Sequence, residues 1–255
     1  MADALRQKEH YETIHEDYEA HYYDATSLAY RRQYIYAPLF EDIDLSGKTV
    51  ADLACGSGQN SLAVQQLFPG AKTVGYDLSP SACRDYRAKT GCEAHEIDLT
   101  TLNQNIAQHD SAMIIGGLHH CISDLPTTLQ NVAAMVKPGG SFMMMEPNRR
   151  FILESARRAW YRRDRWFDGE TEAALDHDEI ATMAQAWFRP KRIRYFGGPG
   201  FFLILNSLVT RVPLSVKPYA APPMFVMESA WNKLPFVRTF PCFLAVWERL
   251  PESSQ

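Results

Sequence analysis

Short apolar runs alternate with helix-length segments from Lys48 to Arg149. "KTVADLA", "KTVGYDL", "CEAHEIDL", "SAMIIGGL" and "SFMMMEP" are interleaved with "SLAVQQLF", "PSACRDYRAKT" and "LPTTLQNVAAMV". Strands joined through helices pair in parallel, because the chain must cross back over the sheet between them, and the crossovers cover both faces. "KRIRYFG" and "FLAVWERL" add two late strands. The pattern predicts an α/β fold: a doubly wound, mostly parallel, seven-stranded sheet. Residues 1–45 read as an N-terminal helical cap rich in tyrosine. Residues 46–255 read as the main domain, with helical insertions near 149–175 and 199–240. "DHDEIATMAQAWF" reads as a helix with Asp176 at its N-cap.

At 255 residues and 46% apolar content the chain can bury a full core. Its formal net charge of −4 argues against a protein that coats nucleic acid, which needs a broad basic field. Five scattered cysteines without a CxxC pair fit a reducing compartment. The longest apolar run, "FFLIL", is too short to cross a bilayer, and the charged N-terminus holds no signal peptide, so a cytoplasmic location is expected.

The strand "TVADLA" runs into "CGSGQN", and a Gly-x-Gly turn there lets backbone N–H groups face a ligand that tolerates no side chains. The alternative is a tight strand-to-helix turn that binds nothing. Asp77 ends the next strand 19 residues past Gly58, where an acid can take both hydroxyls of a ribose. A dinucleotide loop would want a third glycine at position 61, which is Ser61. The loop suits a ligand without a pyrophosphate.

Five ordered stretches, "DLACGSG", "GYDLS", "HEIDLT", "SAMIIGGLHHCISD" and "MVKPGGSFMMMEPN", resemble those of a class I S-adenosylmethionine-dependent methyltransferase of the small-molecule type. The resemblance covers about 100 residues and implies a Rossmann-like fold and S-adenosyl-L-methionine as cofactor, released as S-adenosyl-L-homocysteine. It implies that Asp52 and the backbone from Ala54 through Cys55 and Gly56 to Gly58 hold the methionine part. It places Asp77 on the ribose, Leu78 on the adenine face, Asp98 and Leu99 at the adenine edge, and Gly116 near the sulfonium. Asp98 is also a fair helix N-cap. Tyr18 and Tyr22 would be lid residues over the cofactor, although tyrosines at helical spacing are by themselves a buried face. Cys55 reads as packing, not as a nucleophile.

His119 and His120 in "GGLHHC" leave the fourth strand at the carboxyl edge, where open α/β folds place their ligands, and are the candidate catalytic groups. A hydroxyl acceptor would be served by a histidine base, whereas a carboxylate acceptor needs none. One of the two histidines could equally be structural. Adjacent ligand-type residues cannot easily converge on one ion, and no spaced His or Cys pair supports them, so no metal is expected. Glu146 and Asn148 are candidates for substrate contact, with a strand-end turn as the alternative.

"RRFILESARRAWYRRDRW" carries seven arginines, Arg149 to Arg165, against Glu154 and Asp164, with Ile152, Ala156, Ala159 and Trp160 along one face. It reads as a solvated basic face, a clamp for an anionic substrate, or a foot on an anionic membrane surface. The apolar 199–240 stretch must bury against the sheet, a second subunit, lipid or an apolar substrate. Together these favour O- or N-methylation of a small, fairly apolar acceptor, either a secondary metabolite or a lipid-linked precursor, without nucleic acid. Carbon methylation of a quinone- or sterol-like substrate is the nearest rival. A non-catalytic cofactor-binding subunit and a nicotinamide oxidoreductase are the readings from other classes.

Overall fold

A computed structural model describes residues 19–103, 106–161 and 172–251. Tyr18 and the basic residues Arg162, Arg163 and Arg165 lie outside the described residues. The described chain forms one sheet from β1 (Thr49–Leu53), β2 (Lys72–Asp77), β3 (Ala94–Glu96), β4 (His109–Ile115), β5 (Val136–Pro147), β6 (Phe188–Phe196) and β7 (Cys242–Arg249). Their order is β3-β2-β1-β4-β5-β7-β6. β1 to β5 pair in parallel, and β7 runs antiparallel between β5 and β6. The seven-stranded, mostly parallel sheet expected from the sequence is therefore present. Strand order reverses between β1 and β4, so a crevice opens outside their carboxyl ends, the place where such sheets take ligands.

The helices are α1 (Ala25–Arg31), α2 (Ala37–Leu39), α3 (Gln59–Leu67), α4 (Pro80–Thr90), α5 (Leu125–Met135), α6 (Glu154–Tyr161), α7 (His177–Ala184), α8 (Ser207–Thr210) and α9 (Lys217–Trp231). Local chemistry sets their starts. Ser79 caps α4, accepting from Ala82 N–H at 3.3 Å with Pro80 in the first turn. Asp124 caps α5, accepting from Thr127 N–H at 3.0 Å. Asp176 caps α7 as expected, accepting from Asp178 N–H at 2.9 Å.

The period-two alternation of the strands sorts the core into two layers. Ala51, Leu53, Ala112, Ile114, Phe142, Met144 and Trp247 face α5 and α7 through Leu129, Val132 and Ile180. Val50, Met113, Met143, Leu244 and Val246 face Tyr30, Ile35 and Leu39 of the N-terminal segment and Phe201 and Ile204 of the second insertion. Tyr30, Ile35 and Leu39 are fully buried, and burial of the aliphatic Ile35 and Leu39 is worth about 1.5–3 kcal/mol each. The N-terminal segment from Ala25 onward is thus part of the core.

Two buried charges tie this segment to the second insertion. Lys217, with no exposed surface, donates to the His21 carbonyl at 2.7 Å and the Ser27 hydroxyl at 2.6 Å, and pairs with Asp24. Glu228, equally buried, accepts from the amides of Gly198, Gly200 and Phe201 and from the Tyr30 hydroxyl at 2.7 Å. A buried charge persists only where every lone pair or proton finds a partner, and both groups meet that condition. Among the described residues, no helix is long and apolar enough to cross a membrane.

Candidate active site at the carboxyl edge of the sheet

β1 ends against β2 and β4, with Leu53 beside Tyr76 and Ile114, so the loop that follows it opens into the crevice. Ala54 takes φ +50° and Gly58 φ +89°. A Cβ on Gly58 would stand 2.6 Å from Thr90 Cγ2, so glycine is required there. Ala54 bears about 1 kcal/mol of left-handed backbone cost, and its methyl explains a second glycine: a Cβ on Gly117 would lie 2.6 Å from Ala54 Cβ. The loops after β1 and β4 touch at that point. Cys55 packs with Cys83, Tyr86 and Ala94, and burial pushes its thiol far up. It is packing, as expected.

Asp52 is wholly buried. Ser61 Oγ donates to its Oδ2 at 2.7 Å and lies 2.7 Å from the Tyr86 hydroxyl, while Asp52 Oδ1 has no partner among the described residues. Burial pushes the Asp52 carboxyl up to about 8. A buried carboxylate oxygen without a partner is costly unless a ligand supplies one, and a cation with N–H donors, such as the ammonium of a methionine moiety, fits that need. Ser61, the residue that departs from the dinucleotide pattern, holds the other oxygen of this acid.

Asp77 stands at the end of β2. Its Oδ2 accepts from Gly56 N–H and its Oδ1 from Ser79 N–H, both at 2.9 Å, so one carboxylate links the glycine loop to the start of α4. Leu78 is half-buried. Leu99, by contrast, is buried in the core beside the sheet, with 6% of its surface exposed. Asp98 closes a turn and caps no helix: its Oδ1 accepts from the Thr100 amide at 2.8 Å and hydroxyl at 2.6 Å.

The loop that follows β4 is organised around Glu146. The sequence suggested substrate contact for Glu146 and Asn148, and the structure corrects both. Glu146 has no exposed surface: Oε1 accepts from the amides of Gly117 (3.1 Å) and Leu118 (2.8 Å), and Oε2 from the amide (3.2 Å) and Nδ1 (2.8 Å) of His119. Asn148 is equally buried and donates to the carbonyls of Arg238 (2.9 Å) and Phe240 (2.7 Å). Gly116, at φ +74°, has open space where a Cβ would stand. Burial lowers the His119 imidazole, and it raises Glu146 against the opposing pull of the three amides. In the tautomer that donates Nδ1–H to Glu146 Oε2, the oxygen that also accepts the His119 amide, a neutral His119 keeps Nε2 as an acceptor. His120 stacks on it at 4.0 Å between ring centroids. Contrary to the expectation that adjacent residues would not converge, His119, His120 and Glu172 bring ligand-type atoms within 4.8 Å of one another.

The two insertions meet at this edge. Ile152 N–H donates to the Thr239 carbonyl at 3.1 Å, and the rings of Phe151 and Phe202 lie 6.0 Å apart. The arginines that can be described are largely engaged within the chain: Arg149 pairs with Glu179, Arg150 with Asp176 and Asp178, and Arg157 with Glu154. Tyr22, expected over the cofactor, donates its hydroxyl to Asn206 Oδ1 at 2.8 Å and so ties the cap to the second insertion. Among the described residues of this segment, Glu19 reaches the glycine loop, accepting from Ser57 Oγ at 2.7 Å and from Lys89 at 2.7 Å. Sequence reasoning missed Glu19, Ser57 and Glu172. An acid between the two predicted lid tyrosines, three residues ahead of Tyr22, gave a weak signal for the first, and none existed for the last.

Residues 50–140 match the methyltransferase domain family. The chain is 30% identical over 118 residues to a ubiquinone biosynthesis O-methyltransferase of Coxiella burnetii, covering 44% of this chain and 48% of that protein. It is 32% identical over 107 residues to a ribosomal protein L11 methyltransferase of Aliivibrio salmonicida, covering 41% and 35%. The chain thus spans less than half the length of these relatives. The fold is shared with the N-methyltransferase NodS of Bradyrhizobium japonicum, solved with S-adenosyl-L-homocysteine, at a TM-score of 0.57, 12% identity and coverage of 95% and 99%. Residues 50–140 thus match a methyltransferase domain, and the comparisons support the class I, S-adenosylmethionine-dependent type.

Proposed function

We propose that the protein transfers the methyl group of S-adenosyl-L-methionine to an oxygen or nitrogen of a small, fairly apolar acceptor. The cofactor would lie along Ala54–Gly58 with its ribose on Asp77 and its ammonium toward Asp52. The observation that carries the acceptor assignment is the dyad of His119 and buried Glu146 on the loop after β4, which the close approach of Gly117 to Ala54 sets beside the glycine turn. Phe151, beside Asn148, and Phe202, whose ring lies 6.0 Å from it, suit apolar area better than a highly charged partner.

Methyl transfer is an in-line displacement. An acceptor lone pair forms the new bond to the methyl carbon, the sulfur–methyl bond breaks, and its electron pair returns to sulfur as a neutral thioether. Alignment and exclusion of water supply most of the rate. A hydroxyl acceptor must also lose a proton, and on this reading Nε2 of His119 accepts it, with Glu146 holding the tautomer.

Incubation with methyl-labelled cofactor and either lipophilic small molecules or ribosomal protein fractions tests the acceptor class. Label is expected in the organic extract and to fall in His119→Ala; label confined to precipitated protein would overturn the small-molecule reading.

Asp52 gives a second test. The free carboxyl titrates near 8, and a cofactor ammonium favours its ionised form, so binding at pH 7 should release a proton. Affinity should rise as pH climbs toward about 8, by at most tenfold per unit, and level off above it. Calorimetry in two buffers of different ionisation enthalpy reads the proton directly; equal heats would remove Asp52 from the cofactor site.

A further inference from the structure

Three ligand-type side chains on the acceptor-side loop converge although 52 positions separate two of them. His119, His120 and Glu172 set nitrogen and carboxylate oxygen atoms within 4.8 Å of one another, and His120 Nδ1 lies 3.5 Å from Glu172 Oε1. Their side chains are sheltered, with 17%, 33% and 13% of their surfaces exposed. The backbone causes the convergence. The tight turn Leu118–His120 stacks the two rings at 4.0 Å. Ala173 N–H donates to the His119 carbonyl at 3.3 Å, which brings Glu172 over that turn.

An independent observation points to an ion. His119 Nδ1 lies 2.8 Å from a carboxylate oxygen of Glu146, which has no exposed surface. Metal-binding histidines almost always give their other ring N–H to such a partner, which fixes the tautomer and raises the basicity of the ligating nitrogen. With Nδ1 committed to Glu146, Nε2 is the His119 nitrogen left for a metal.

We propose that His119, His120 and Glu172 bind one divalent first-row transition metal ion of the zinc type, with Glu146 as the outer carboxylate. Two imidazoles and one carboxylate supply three protein ligands and leave the fourth tetrahedral position open. Two nitrogens disfavour magnesium and calcium, which take oxygen. Donors about 2.1 Å from a tetrahedral ion stand about 3.4 Å apart. The His120–Glu172 pair already has that spacing, and small side-chain rotations close the rest. This site rests on the reading of the loop as the acceptor side, and it narrows the acceptor to one that offers a lone-pair oxygen or nitrogen to the open position. An ion there would lower the pKa of a bound hydroxyl, whose proton would then go to solvent instead of to His119.

Cobalt(II) titration of the full chain after chelator treatment tests the site, read by visible d–d absorption and by calorimetry, with S-adenosyl-L-homocysteine affinity measured in parallel. One cobalt per chain is expected, displaced by zinc, with Glu172→Gln and His120→Gln each weakening binding at least a hundredfold and Glu146→Gln weakening it 10- to 100-fold. Glu172 lies outside every helix and strand, so its variant decides the matter if another fails to fold. No cobalt band in the wild type, or an unchanged affinity in Glu172→Gln, would overturn the site. Loss of homocysteine-cofactor binding with intact cobalt binding would strike the methyl-transfer reading and leave the metal site standing.

Discussion

Asp77→Ala is expected to weaken cofactor binding by about 3–5 kcal/mol, a hundred- to several-thousand-fold rise in Kd. The reasoning begins at the strand end. β2 delivers the carboxylate to the crevice, and each charge-assisted hydrogen bond it would make to a ribose hydroxyl contributes about 1.5–3 kcal/mol. The same carboxylate accepts from the amides of Gly56 and Ser79. Alanine would therefore also free the glycine loop from α4, and part of the loss should appear as a looser loop. Asp77→Asn keeps the shape and one carbonyl oxygen, so it should lose less. Titration of both variants with S-adenosyl-L-homocysteine, alongside thermal unfolding, separates the two contributions. A folded Asp77→Ala protein with wild-type affinity would remove the assignment.

Glu146→Ala is expected to cost about 3–5 kcal/mol of stability, because it strands the amides of Gly117, Leu118 and His119 without an acceptor. For a chain of this size the melting temperature should fall by roughly 10 °C. Glu146→Gln is the more informative variant. Its carbonyl oxygen can still take the amides of Gly117 and Leu118, but its NH2 group would face the Nδ1 of His119, which must then surrender its proton to Nε2. The imidazole would present a donor where it had presented an acceptor. Turnover with a hydroxyl acceptor should drop about a hundredfold or more, while cofactor affinity stays within a few-fold of wild type. Parallel measurement of kcat and of homocysteine-cofactor Kd checks this. A fall in affinity that matched the fall in turnover would show that Glu146 supports only the fold.

The sheet was legible because its strands alternate and its crossovers carry their own caps: Asp77 and the glycines stand at strand ends that periodicity locates. Glu146 was not legible in its true role. "MMMEPN" places an acid at a strand end, but the three amides that claim it lie 27 to 29 positions earlier. The pairing exists only because β5 lies beside β4. Glu172, Lys217 and Glu228 are of the same kind, charged residues whose partners come from distant segments. The burial of the Leu99 side chain was not legible for a different reason. A leucine beside a ligand-edge aspartate is as ready to enter the core as to face the ligand, and here it packs among the residues under the sheet. Tyr22 lay on the expected helical stripe, but its hydroxyl found Asn206, a partner that the sequence spacing cannot indicate.

The claim on which the account depends is that the crevice beside Asp52, the glycine loop and Asp77 is a site for S-adenosyl-L-methionine. Calorimetric titration of the wild-type chain with S-adenosyl-L-homocysteine and, separately, with NAD tests it most directly. One homocysteine-cofactor molecule is expected per chain, with no heat from NAD, since Ser61 stands where a pyrophosphate loop would carry its third glycine. Binding of NAD, or no binding of S-adenosyl-L-homocysteine by the folded chain, would contradict the account.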